Sequence, residues 1–195
     1  MPLKNYLGVL YNAEHPVYVP AEDSFLLLRE AKCHGRVLEI GTGSGLLAIY
    51  FAKNGKQVDA VDISRDALDC ASGNCILNGV SINLALSDLF QNVKGKYDTI
   101  IFNPPYLPAN DNIEGAEAWN GGSDGFAVIR RFLAAAPSYL ADNGSIYLIL
   151  SDLTNISNLV DEFRNFDFVM LGSEHFETET IHAFELKLGR SDNIR

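Results

Sequence analysis

Residues 36 to 53 constrain the fold of this chain more than any other stretch. Arg36-Val-Leu-Glu-Ile40 is a short, mostly apolar run that reads as a buried strand. Gly41-Thr-Gly-Ser-Gly45 permits a tight backbone turn, and Leu46 to Lys53 forms an apolar helix closed by Asn54-Gly55. The same alternation continues. Gln57 to Asp62 reads as a second strand, Ser64 caps a helix that ends at Asn78-Gly79, and Ile82, Leu84 and Leu86 alternate in a third strand ending at Ser87-Asp88. Tyr97 to Phe102 forms the fourth. Ile129, Phe132, Leu133, Ala136 and Leu140 then recur at helical spacing, with Pro137 expected to kink that helix or start a new turn. A strand over Ser145 to Leu150 and a helix over roughly Ile156 to Arg164 follow, and strands near Phe168 to Gly172 and Ile181 to Leu188 close the chain. Repeated strand–helix units predict an α/β fold: a doubly wound, mostly parallel, seven-stranded sheet with a C-terminal antiparallel strand pair.

With 195 residues, 47% hydrophobic content and near-zero mean hydropathy, the chain suits one globular domain over residues 1–195. Residues 1–19 hold scattered aromatics and two prolines without a helical period and are expected to drape over the core as an arm. Residues 107–123 form a long polar loop expected on the substrate side. The start lacks a basic segment followed by a long apolar run, and no stretch approaches the roughly 18 apolar residues of a membrane span, so a cytoplasmic protein without membrane association is expected. Cys33, Cys70 and Cys75 are odd in number and lack Cys-x-x-Cys spacing, and the four histidines show no ligand pairing, so neither disulfides nor a metal is expected. The formal charge of −10 argues against a surface built for polyanions.

Ligands of doubly wound sheets bind beyond the strands' carboxyl ends, where the strand order reverses. The candidate site residues all lie at such ends. Gly41, Gly43 and Gly45 allow close backbone approach to a ligand beside the unpaired donors of a helix N-terminus. Asp62 falls about 20 residues after the first glycine, where a carboxylate can accept both hydroxyls of a ribose. A nucleoside ligand follows. A dinucleotide fingerprint would place a small residue at position 46, which is Leu46; Glu39 would repel a pyrophosphate but could orient an ammonium group. Asp88 is placed to accept the exocyclic amine of an adenine. After the fourth strand comes Asn103-Pro-Pro-Tyr106, in which two prolines fix φ and remove donors, leaving a rigid turn of acceptors. Asn103 adds a side-chain carbonyl and Tyr106 a flat ring, a combination that grips a planar NH2 by its hydrogens and its face. A conjugated nitrogen held in this way is pushed toward the pyramidal shape needed for attack. Each feature has a bland counterpart in a glycine turn, a helix cap, a loop acid or a strand terminator. Their order at the ends of four successive strands favours a site.

Glu39-Ile-Gly-Thr-Gly-Ser-Gly45, Asp62, Asp88 and Asn103-Pro-Pro-Tyr106 together resemble the class I S-adenosylmethionine-dependent methyltransferases of the HemK/PrmC type, which modify glutamine in peptide release factors. Val17-Tyr-Val-Pro-Ala-Glu-Asp-Ser-Phe25 and Trp119-Asn-Gly-Gly-Ser-Asp-Gly125 are similar to segments of the archaeal and eukaryotic branch. The resemblance implies a Rossmann-like fold with S-adenosylmethionine as cofactor. It implies that Ser24 contacts the cofactor's methionine end, Asp62 the ribose, Asp88 and Leu89 the adenine, and Asn103, with Pro104 and Tyr106, the target amide. The implied reaction is in-line transfer of the sulfonium methyl to the glutamine nitrogen, carried by positioning, with no metal and no covalent enzyme intermediate. The bacterial branch has an N-terminal helical domain that the short arm leaves no room for. A small zinc-binding activator subunit is implied instead, for which the strand holding Ile82, Leu84 and Leu86 offers an edge. Two other readings stay open. One is methylation of an exocyclic amino group of adenine or guanine in RNA or DNA, although no Lys or Arg lies from Tyr97 through Ile129 to offset phosphate charge. The other is a non-catalytic nucleoside-binding scaffold.

Overall fold

The structure, a computed structural model, describes residues 3–105 and 125–189. Strands β1 (Lys4–Tyr6) and β2 (Val9–Tyr11) form an antiparallel hairpin, followed by helix α1 (Glu22–Glu30). Then come β3 (Arg36–Ile40), α2 (Leu46–Lys53), β4 (Gln57–Asp62), α3 (Arg65–Asn78), β5 (Asn83–Leu86) and β6 (Tyr97–Phe102). Helix α4 (Ala127–Ala135), β7 (Leu140–Ser151), α5 (Ile156–Glu162), β8 (Phe166–His175) and β9 (Thr180–Leu188) complete the described elements.

Strands β3 to β9 make one seven-stranded sheet in the order β5-β4-β3-β6-β7-β9-β8. The first five in that order run parallel, while β9 pairs antiparallel with both β7 and β8. The chain enters at β3, winds outward through α2, β4 and α3 to β5, then returns across β3 to begin again at β6. The order therefore reverses between β3 and β6, where Ile40 is in register with Phe102. Gly41 and Asn103, the next residues, leave the sheet side by side.

Alternate side chains of each strand feed two apolar layers. Val37, Ile101, Tyr147 and Ile149 pack with Leu26 and Leu27 of α1 and Leu47, Ile49 and Phe51 of α2. Leu38, Ile100, Phe102 and Leu148 face the other way, onto Ile129, Phe132 and Leu133 of α4 and Leu159 of α5. Burial on both faces accounts for the near-continuous apolar runs of β3, β6 and β7.

Two expectations change. The arm is partly ordered: Leu7 and Gly8 have φ of 49° and 80° and close a two-residue hairpin turn that requires positive φ at both positions. A leucine in the first of these positions, where asparagine is usual, and strands of three residues hid the hairpin. Leu140 is not helical. Pro137 supplies no N–H, so α4 stops at Ala135, a 3-10 turn spans Ala136–Ser138, and Leu140 pairs with Tyr97 at the start of β7.

The hairpin is held by two asparagines four residues apart on α3. Asn78 accepts from the Leu10 backbone N–H at 2.9 Å and donates to the Leu10 carbonyl at 2.6 Å. Asn74 makes the same pair of bonds to Asn12, at 2.9 and 2.8 Å. These amides stand in for a neighbouring strand, and Tyr6 stacks on Phe25 of α1 with ring centroids 3.9 Å apart. Asn78→Ala should therefore lower stability by about 1–3 kcal/mol and speed amide exchange at Leu10 selectively, measured by urea unfolding and hydrogen exchange.

Candidate active site

The glycine loop is built around one buried carboxylate. Glu39 Oε2 accepts from Thr42 Oγ1 at 2.6 Å and from the Ala48 backbone N–H at 3.0 Å, tying the end of β3 to the first turn of α2. Burial pushes the Glu39 carboxyl up to about 8; the hydrogen bonds oppose that shift and the nearby Asp62 charge adds to it. A cation placed beside it would favour the ionised form. Gly43 has φ of 54°, and a Cβ there would meet nothing within 4 Å, so open space lies over the loop. Gly45 is needed for closeness instead: at φ 79° its Cβ would sit 3.0 Å from the Ala71 side chain. Gly41 shares the positive φ, at 65°.

Asp62 ends β4 with Oδ2 accepting from Gly43 N–H at 2.9 Å and Oδ1 from Ser64 N–H at 2.9 Å. Its carboxyl is pushed up by burial, which those backbone donors offset in part. The Ser87 N–H donates to the Asp62 carbonyl at 2.8 Å, so the β5 exit lies next to it. There Asp88 pairs with Arg131 of α4 at 2.6 Å, and Leu89 takes a left-handed φ of 49°. Ser87 Oγ donates to the Leu89 carbonyl at 2.8 Å and accepts from Asn92 N–H at 2.9 Å, fixing this bend. Phe90 stacks between Phe132 and Tyr139 below it.

Asn103 follows β6. Its Nδ2 lies 3.5 Å from Ser24 Oγ in the first turn of α1, while its Oδ1 is buried without a hydrogen-bond partner among the described residues. Ser44 Oγ in the glycine loop is likewise buried and unpartnered. Pro104 is buried and Pro105 half-buried; Tyr106 and the 107–123 loop lie outside the described residues.

The sheet thus brings Ser24 to Asn103, Asp62 to Gly43 and Asp88 to the neighbouring strand exit. Residues that sequence reasoning passed over also enter. Asn74 donates to the Ser44 carbonyl at 2.8 Å, linking arm, α3 and glycine loop. Its signal was an asparagine, a poor helix former, inside the helix and four residues before a second one at the helix end. Arg131 reaches Asp88 across 43 positions, with no local sequence signal. Asp23 is buried beside Ser24; an acid in the first turn of a helix suits the macrodipole, so its sequence position by itself points to no site.

Residues 22–176 match the model of the methyltransferase small domain family. The chain is 42% identical over 163 residues to a putative protein N5-glutamine methyltransferase of Methanocaldococcus jannaschii, covering 79% of this chain and 82% of that protein. It is 35% identical over 160 residues to the release factor glutamine methyltransferase of Streptococcus pneumoniae, covering 74% of this chain and 57% of the relative. Among solved structures, that of the E. cuniculi Mtq2-Trm112 complex, responsible for methylating the termination factor eRF1, superposes with a TM-score of 0.71 at 24% identity. The match covers 89% of this chain and 99% of that one and shows a shared fold.

The Glu39 environment makes a prediction for the ligand-free chain. The unfolded chain releases this proton near the ordinary carboxyl range, whereas the folded chain keeps it up to about 8. Between those values the native state binds more protons, so Glu39 contributes a loss of stability as pH rises, with a slope of at most about 1.4 kcal/mol per pH unit. Glu39→Gln should flatten the decline between about pH 5 and 8, read from urea unfolding at stepped pH.

Proposed function

The chain belongs to the methyltransferase small domain family, and from that membership we propose that it transfers a methyl group from S-adenosylmethionine to the side-chain amide nitrogen of a glutamine in a peptide chain release factor. The observation that carries the reading is Asn103 Oδ1, buried, without a partner among the described residues, and seated beside the glycine loop where the strand order reverses.

The residues present fit S-adenosylmethionine. Ser44 Oγ and Asn103 Oδ1 are buried polar atoms awaiting partners, and the space over Gly43 is one a side chain would fill. Asp62 would hold the ribose, Asp88 and Leu89 the adenine, Gly41 and Gly43 the chain between, and Ser24 and Glu39 the methionine end. When bound, the cofactor supplies an electrophilic methyl on a sulfonium. Asn103 Oδ1, with the acceptor turn of Pro104 and Tyr106, takes the hydrogens of the target NH2 and draws its lone pair out of conjugation. Asn103 and the turn after it would hold that nitrogen facing the methyl the cofactor supplies, and the nitrogen, made acidic by methylation, would give its proton to water. Residues 1–195 act as one catalytic unit in the compartment of translation.

A small zinc-binding activator subunit is part of the same reading. Strand β5 is an edge of the sheet with Leu86 exposed, and Ile76 and Leu77 are exposed on α3 packed against it. An unpaired, apolar edge of this kind accepts an added strand.

Incubation with labelled cofactor and separate pools of release factor, tRNA, rRNA and DNA tests the reading. Label on release factor glutamine supports it; label on nucleic acid alone would overturn it in favour of the nucleobase alternative. Asn103→Ala should lower single-turnover methylation roughly 10²- to 10³-fold while leaving cofactor affinity and melting temperature near the parent's. Asp62→Ala should weaken cofactor binding by about 1.5 kcal/mol or more in calorimetry, because the ribose hydroxyls lose a charged acceptor.

A further inference from the structure

Asn103 can serve as an acceptor only if its amide faces the right way. An amide has an oxygen on one side and NH2 on the other, and the two orientations differ in hydrogen-bonding polarity far more than in shape. Presented backwards, Asn103 would set two donors against the two donors of the target NH2. The acceptor turn needs a device that chooses the orientation.

Such a device lies behind Asn103. Asp23 is 6% exposed and Ser24 2% exposed, both in the first turn of α1. Tyr18, at the end of the arm, donates its hydroxyl hydrogen to the Asp23 carboxylate, at 2.7 Å from Oδ1 and 2.8 Å from Oδ2. The Ser24 backbone N–H donates to Oδ1 at 2.5 Å, and Ser24 Oγ lies 3.2 Å from the same oxygen. A carboxylate only accepts, so the single hydrogen of the Ser24 hydroxyl points at Asp23. Its lone pairs are then left for Asn103, whose Nδ2 is the atom facing it at 3.5 Å. With NH2 turned to Ser24, Oδ1 is turned away, which is the buried atom without a partner.

We propose that Asp23 sets the polarity of the Asn103 side chain through the Ser24 hydroxyl, with Tyr18 of the arm holding the carboxylate in place. Tyr18, Asp23 and Ser24 are positioning residues in this chain of donors and acceptors, and the arm gains a role in the chemistry beyond covering the core. The inference rests on the reading that Asn103 receives the target amide. Burying a carboxylate is costly unless its oxygens are supplied with donors, and Tyr18 and Ser24 are among those that supply Asp23.

Asp23→Asn keeps the shape and can offer an NH2 to Ser24, reversing the hydroxyl. At saturating cofactor it should lower single-turnover methylation of release factor roughly 10- to 100-fold, with cofactor affinity and melting temperature within small margins of the parent. Tyr18→Phe should lose less, about 3- to 10-fold. At saturating cofactor, Asp23→Asn combined with Ser24→Ala should lose no more rate than the larger of the two single losses, whereas independent packing roles would give losses that multiply. Amide NMR gives a readout independent of turnover. The Asn103 side-chain NH2 protons should show a cross-peak to the Ser24 β protons in the parent and lose it in Asp23→Asn. Asp23→Asn turning over within about threefold of the parent, or keeping the cross-peak, overturns the relay. A parent inert on release factor instead overturns the proposed function, and the cross-peak alone then decides the relay.

Discussion

The pairing of β3 with β6 is the constraint on which the rest depends. These strands are far apart in sequence yet run parallel in register, Ile40 beside Phe102, because the chain winds out to β5 and then returns over its own start. Crossovers on both faces of the sheet make the return possible and leave a crevice at the reversal. In the proposed function the glycine loop and Asn103 are the two lips of that crevice, the one to cradle a ligand and the other to accept the target amide beside it.

Buried carboxylates organise the crevice. Glu39 and Asp62 each accept two hydrogen bonds that fix backbone around the glycine loop, and Asp23 does the same at the start of α1. Burial raises the cost of charge at Glu39 and Asp62, so these groups are sensitive to whatever cation or hydroxyl enters the crevice. Asp88 differs. It is half-exposed and paired with an exposed Arg131, an interaction worth about 0–1 kcal/mol, which leaves it free to exchange partners.

The arm is tied to the crevice at both ends. Asn74 and Asn78 dock the hairpin on α3, and Asn74 also holds the Ser44 carbonyl in the glycine loop. At the far end Tyr18 reaches Asp23. A segment with little regular structure is thereby held by side chains that complete its backbone hydrogen bonding, a role usually filled by a neighbouring strand.

Local periodicity and spacing were enough to lay out β3 to β6, α2, α3 and the C-terminal strands, because apolar runs, glycine turns and caps act within a few residues of themselves. The same locality made Gly41, Asp62, Asp88 and Asn103 legible as residues at strand ends. It also set the limits. The Leu7-Gly8 hairpin and the strand start at Leu140 escaped notice because the first is stabilised by asparagines more than 60 positions away and the second by pairing with Tyr97. The Arg131 partner of Asp88, the Asn74 bond to the glycine loop and the contact between Ser24 and Asn103 join residues 30 to 79 positions apart. Which groups meet across such separations, and which way a buried amide faces, is decided by packing of the whole sheet, since only there is each hydrogen-bonding group given its partner or left without one.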